Sequence, residues 1–252
     1  MDLRSEQKRW EQIGREDPFW GVLSWVGKEN GRWNREEFYE RGESDITHFL
    51  DELRVLGVEP ETGDALDFGC GVGRLSKSLA TRFDNVTGVD ISASMVEQAN
   101  RIVAARYPNC EFLVSNSRSL PFRDAAFDFV VSNIVLQHMP AKLALTYIAE
   151  FLRVLRARGV AIFQLPAENV LGSQSRNPLV RWLMNALPSQ LREAILRRRG
   201  QEVARHIPMY GIPRRKVVRA AERSGGRVVA CIEDQAAGPH WRSFHYIVVT
   251  DV

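Results

Sequence analysis

The sequence predicts an α/β protein built on a seven-stranded, mostly parallel sheet, with helices on both faces and an antiparallel strand at its C-terminal end. Three observations carry this. Short apolar runs alternate with amphipathic stretches from Asp64 onward, as expected of strands in a parallel sheet covered on both sides. One turn between a strand and the following helix is a run of alternating glycines. The last two strands are joined by a link too short for a crossover, which makes them an antiparallel hairpin.

In chain order, residues 1–60 read as an N-terminal helical cap. It has a charged start, an aromatic-rich loop with Trp20, Trp25 and Trp33, and a helix from about Arg35 to Leu56 whose Phe38, Ile46, Phe49, Leu50 and Leu53 recur at helical spacing. Residues 61–252 form the main domain. Its strands are Ala65 to Phe68, Val86 to Val89, Glu111 to Val114, Phe127 to Val131 and Val160 to Leu165. A helical insertion follows at about 167–210, then a helix near Arg214 to Ser224 and the strands Arg227 to Glu233 and Phe244 to Thr250.

A chain of 252 residues with 44% hydrophobic and 26% charged residues is an ordinary globular composition, neither disordered nor a disulfide scaffold. Charges run through Met1 to Trp20, unlike a signal peptide, and no apolar run approaches the roughly 18 residues of a membrane helix. The expected location is cytoplasmic. Cys70, Cys110 and Cys231 are widely spaced and lack metal-ligand spacing, so no metal is expected. The net charge of +3 is too mild for general nucleic-acid affinity. Between Arg176 and Arg219, however, arginines and Lys216 are opposed only by Glu193 and Glu202.

The most informative segment is Leu66-Asp67-Phe68-Gly69-Cys70-Gly71-Val72-Gly73-Arg74. Glycines there allow a tight turn and a close approach of backbone to ligand, and free amides at the helix start favour a negative group. Seventeen positions past Gly73, the run Val86-Thr87-Gly88-Val89 ends in Asp90, where a carboxylate can accept both hydroxyls of a ribose. A dinucleotide fingerprint counted from Gly69 needs a small residue where Arg74 stands, and no G-K-[ST] follows for a phosphate loop. Asp67 would repel a pyrophosphate but can orient the ammonium of a nucleoside that carries an amino acid.

The run Asp67 to Gly73 resembles the acidic-x-Gly-x-Gly-x-Gly loop of the class I S-adenosylmethionine-dependent methyltransferases, in their small-molecule branch, and the resemblance extends from about Phe38 to Val249. It implies a Rossmann-like fold and S-adenosyl-L-methionine as cofactor, with S-adenosyl-L-homocysteine as product. By that resemblance Gly69, Gly71 and Gly73 lie under the methionine part, Asp90 holds the ribose, and Ile91 and Met95 pack on adenine. Ser115-Asn116-Ser117-Arg118-Ser119-Leu120-Pro121-Phe122 resembles the adenine-reading loop, with Asn116 in place of the usual acid. Its amide oxygen can still accept from the adenine amine. Asn133, after the fourth strand, offers a carbonyl to the ammonium. Trp33, Phe38, Tyr39 and Gly42 resemble an arrangement in which an N-terminal helix covers the cofactor.

Methyl transfer needs positioning and exclusion of water, and an alcohol acceptor also wants a base. His138 is the first candidate, because it lies just past the carboxyl end of the fourth strand, where open α/β sheets bind ligands. If the sixth strand runs parallel to the others, the link from Gln235 to Trp241 overhangs the pocket and brings His240 as a second candidate and Trp241 as a substrate contact. Glu168, Asn169, His206 and Tyr210 are placed for the same mouth. The insertion, amphipathic across Pro178 to Arg199, is a candidate lid. Its arginines suit a phosphorylated or carboxylated substrate, an anionic membrane surface or RNA.

The leading expectation is methylation, most simply on oxygen, of a small molecule, saccharide or lipid-linked acceptor. The alternatives are an RNA or protein methyltransferase and a non-catalytic S-adenosylmethionine-binding protein. Ser132-Asn133-Ile134-Val135 lacks the Asn/Asp-Pro-Pro-aromatic motif of base methylation, and no RNA-binding module is visible, so a nucleic-acid partner is not expected.

Overall fold

The sheet has the strand order β3-β2-β1-β4-β5-β7-β6. It is seen in a computed structural model that describes residues 3–170 and 207–251. Its strands are β1 (Asp64–Phe68), β2 (Asn85–Asp90), β3 (Cys110–Val114), β4 (Phe127–Ser132), β5 (Leu155–Asn169), β6 (Gly226–Asp234) and β7 (Trp241–Thr250). The pairs β1–β2, β1–β4, β2–β3 and β4–β5 are parallel. Strand β7 lies between β5 and β6 and is antiparallel to both, so β6 runs with the parallel strands. The sequence places the strand cores correctly but starts β5 five residues late, at Val160, because Arg156 and Arg158 break the apolar run before Gly159.

Helices α1 (Leu3–Glu16), α2 (Pro18–Val22) and α3 (Arg35–Val55) precede the sheet. Then come α4 (Arg74–Leu79), α5 (Ala93–Ala99) with a wide π-turn over Asn100–Ala104, α6 (Ala141–Val154) and α7 (Arg214–Arg223). Helix α3 follows directly from its sequence. The Asn34 side chain accepts from the Glu37 amide, Glu36 and Glu37 complement the positive end, and Arg54 sits in the last turn. It stops at Gly57, whose φ of 69° permits the paired bonds Gly57 N to Arg54 O and Val58 N to Leu53 O. Its Phe38, Ile46, Phe49 and Leu53 are buried in one cluster with Phe129, Ile162 and Ile247 of the sheet, each worth roughly 1.5–3 kcal/mol of burial. On the other face, α6 and α7 pack through Ile148, Phe151, Leu152, Val217 and Ala221 against Phe163 and Tyr246.

Helix α3 is thus part of the sheet's packing, whereas α1 and α2 lie across the carboxyl ends of β1, β2 and β4. No described helix is long and apolar enough to cross a membrane. Most of the predicted insertion, including His206 and Pro178 to Arg199, lies outside the described residues.

Candidate functional site

The glycine turn is strapped from three sides. Gly69 and Cys70 both donate their amides to the Val89 carbonyl, at 2.8 and 3.0 Å, which ties the turn to the end of β2. The Tyr39 hydroxyl, reaching from α3, donates to the Val72 carbonyl at 2.9 Å. Gly71 donates to Asp90 Oδ2 at 2.9 Å, while Oδ1 of the same carboxylate accepts from the Ser92 amide at 2.8 Å. Burial pushes the Asp90 pKa up, against the opposing pull of these amides. Gly69, Gly71 and Gly73 have φ values of 76°, 53° and 80°, in the left-handed region. A Cβ on Gly69 would fall 2.4 Å from Val135, and one on Gly71 would fall 2.5 Å from Val22.

Above this floor lies a cavity with about 830 Å³ of empty space, its open mouth included. That size is ordinary for a small-molecule site. Gly69, Gly71, Asp90, Ile91, Met95 and Asn133 all line it, as does His138, so the structure brings these predicted residues together. Asp67 does not line it. It is buried beneath the turn and accepts from Ser76 Oγ at 2.6 Å, with its pKa raised by burial to about 6. Gly73 caps α4, packed on Val103 and Phe112. In the adenine-loop segment it is Ser115 that lines the cavity. Asn116 and Ser117 are exposed, the former 3.5 Å from Gln7 and the latter accepting at its carbonyl from the Tyr147 hydroxyl.

His138 is buried, and both of its ring nitrogens are engaged. Nδ1 donates to the Pro208 carbonyl at 2.9 Å, which leaves Nε2 to accept from the Gln137 amide at 3.2 Å. Burial pushes its pKa down to about 4, so the ring is neutral near neutral pH. His240 is exposed, and its carbonyl accepts from Val170. Glu168 faces Arg242 at 3.7 Å, Trp241 pairs with Asn169, and Tyr210 donates its amide to the Gln137 carbonyl. His240, Glu168, Tyr210 and Trp241 do not line the cavity. Helix α7 carries exposed Arg214, Arg215, Lys216 and Arg219, while Arg176 to Arg205 lie outside the described residues.

Residues that the sequence reading did not single out complete the walls. Leu3, Glu6 and Trp10 come from α1, Gly21 and Val22 from α2, and Met139, Leu143 and Tyr147 from the region after β4. Leu3, Trp10 and Ile13 recur at helical spacing, a signal masked by the charges between them. Helix α1 is clamped where Glu11 Oε2 accepts from Ser92 Oγ and the Ser94 amide, both at 3.0 Å. Gln98 also donates to the Gly14 carbonyl at 2.9 Å. Ile134, in the cavity wall, has a φ of 63°, a strained value for a β-branched residue.

Residues 65–159 match the family described as "Methyltransferase domain". Among curated proteins, the chain is 29% identical over 155 residues to 2-methyl-6-phytyl-1,4-hydroquinone methyltransferase of Synechocystis, covering 61% of this chain and 48% of that one. It is 31% identical over 136 residues to trans-aconitate 2-methyltransferase of Enterobacter, covering 53% and 51%. The chain therefore spans about half the length of the curated relatives it matches. Among solved structures, magnesium protoporphyrin IX methyltransferase of Synechocystis with bound SAH superposes with a TM-score of 0.66 at 18% identity, covering 99% of this chain and 100% of that one.

Proposed function

We propose that the chain is a class I S-adenosylmethionine-dependent methyltransferase, which binds S-adenosyl-L-methionine in this cavity and methylates a small molecule, on oxygen in the simplest case. The observation that carries this reading is the pairing of bare backbone at Gly69 and Gly71 with the Asp90 carboxylate across one cavity.

The residues present fit the cofactor. Asp90 uses one acceptor direction of each oxygen on a backbone amide, and a carboxylate keeps further lone pairs for two ribose hydroxyls. Ile91 and Met95 give an apolar wall for a purine, and Ser115 replaces Asn116 as the polar group beside it. Asn133 presents its end of β4 to an ammonium, and its side chain is held 3.3 Å from Asp45. The cofactor supplies an electrophilic methyl group on a sulfonium. The protein's part is to hold the acceptor close and exclude water, and the lining of Leu3, Trp10, Val22, Met139 and Leu143 suits the second task. Residues 1–60 act here as a cap through α1 and α2, and the remainder is the methyltransferase domain.

His138 is assigned to the acceptor side, where it can take a proton only by giving up the Gln137 amide. Unchanged turnover in His138→Ala with cofactor affinity intact would remove it from the chemistry. His240, Glu168, Tyr210 and Trp241 are assigned to the approach rather than the reacting centre. The exposed cations of α7 are assigned to an anionic surface rather than to the acceptor. Calorimetric titration with S-adenosyl-L-homocysteine tests the cofactor reading. Asp90→Ala is expected to weaken binding by roughly tenfold or more, since hydrogen bonds to a charged group contribute about 1.5–3 kcal/mol. Absence of heat with the unmodified protein would overturn it.

A further inference from the structure

The lining of the cavity carries a chemical preference of its own. Leu3, Trp10, Phe68, Met139, Leu143 and Tyr147 all contribute to it. The Trp10 ring sits edge-on to His138, with centroids 5.3 Å apart. Among the described residues, no lysine or arginine lines the cavity. The neighbouring cation, Arg9, directs its Nη1 to both oxygens of Glu6, at 2.9 and 2.7 Å. Among the described residues, an acceptor bearing carboxylates would meet no free counter-charge there.

The Tyr147 hydroxyl is donated to the Ser117 carbonyl, the Asn133 amide faces Asp45, and both His138 nitrogens are engaged. Glu6 is different. It is only 5% exposed, and its carboxylate, which has about four lone-pair sites, receives just the two contacts from Arg9 among the hydrogen bonds seen. It shares one helical face with Leu3 and Trp10, three and four residues away.

From this geometry we infer that the site takes an uncharged, apolar, ring-bearing acceptor, and that Glu6 receives the hydrogen of its hydroxyl group. The inference rests on the methyltransferase reading and deepens it. Glu6 holds the hydroxyl, while Trp10, Phe68 and Tyr147 hold the ring, so the acceptor is fixed by α1 on one side and by β1 and α6 on the other.

The test is calorimetric titration of the full chain, loaded with S-adenosyl-L-homocysteine, with three probes: 2-naphthol, 2-methoxynaphthalene and 2-naphthoate. The hydroxyl probe is expected to bind about tenfold more tightly than the methyl ether, the worth of one hydrogen bond to a carboxylate. Glu6→Leu should bring the two to parity with homocysteine-nucleoside affinity unchanged, a readout that also reports an intact fold. Arg9→Met, which leaves Glu6 in place, should keep the preference. Equal binding of the first two probes to the unmodified protein, no binding of either, or tightest binding of 2-naphthoate would overturn the inference while leaving the cofactor reading intact. Absence of heat in the loading step would overturn both.

Discussion

Replacing Gly69 by alanine tests whether the turn under the cavity depends on bare backbone. Its φ of 76° is left-handed, and an alanine there costs about 1–2 kcal/mol. The added methyl would stand 2.4 and 2.5 Å from the two Cγ atoms of Val135 and 2.9 Å from its Cβ. Because the Cβ is itself too close, no rotation of the valine relieves the clash, and the overpacking adds about 1–3 kcal/mol. The sum, about 2–5 kcal/mol, corresponds to a fall in Tm of roughly 4–20 °C for a chain of this size. Gly27→Ala is the matched control. Its φ is 84°, but nothing lies within 4 Å of the added atom, so only the backbone cost applies. Thermal unfolding of the two variants side by side isolates the contact. Equal melting temperatures, together with undiminished affinity of Gly69→Ala for S-adenosyl-L-homocysteine, would refute the reasoning.

Two further outcomes follow from groups outside the turn. Burial holds the Asp67 pKa at about 6, above its ordinary 3.8, despite the bond from Ser76. Its contribution to stability is therefore full below about pH 4 and is lost as pH rises through about 6. The stability of Asp67→Asn relative to the unmodified protein should climb across that window, by on the order of 3 kcal/mol, and stay flat above it. Urea unfolding at a series of pH values checks this, and a difference independent of pH would refute it. Glu11→Ala removes the acceptor shared by Ser92 Oγ and the Ser94 amide. Amide exchange over residues 3–16 should then quicken by tenfold or so while that of β1 and β4 holds, each lost bond being worth about 1 kcal/mol.

What the sequence reveals about this molecule is what is local. The strand that ends at Phe68, the glycines after it and the acid closing β2 lie within one βαβ unit, and their spacing alone implies a nucleoside cradle. The pleat, which the motif does not display, sets Asp67 apart from the cavity. Successive strand residues face opposite sides, so Asp67 shares the face of Ala65 and meets Ser76 of α4, while Leu66 and Phe68 face the other cluster. The exposure of Asn116 beside cavity-lining Ser115 is likewise a one-residue matter of where β3 lets go. His240 and Trp241 fail for a different reason. Chain direction correctly puts their link at the carboxyl end of the sheet, but the order β4-β5-β7-β6 carries it laterally past β5, away from β1 and β2. That displacement depends on pairings between distant segments, which no short motif encodes.

The same division separates the two halves of the site. Gly69, Gly71, Asp90, Met95 and Asn133 all fall inside the matched span 65–159. Relatives named for acceptors as unlike a phytyl hydroquinone and trans-aconitate are similar to the chain over about half their lengths. Leu3, Glu6 and Trp10 lie outside that span, on a helix held by Glu11 and by the tight seat of Gly14 against Ser94. A shared cradle with a separately built wall lets the acceptor change without disturbing the cofactor, because α1 lines the former's space and meets the latter's from outside, along α5 and at Asn116. On this argument, exchanging Leu3, Glu6 and Trp10 should alter which probe binds before it alters the affinity for S-adenosyl-L-homocysteine. If both change in step, the wall and the cradle are one unit.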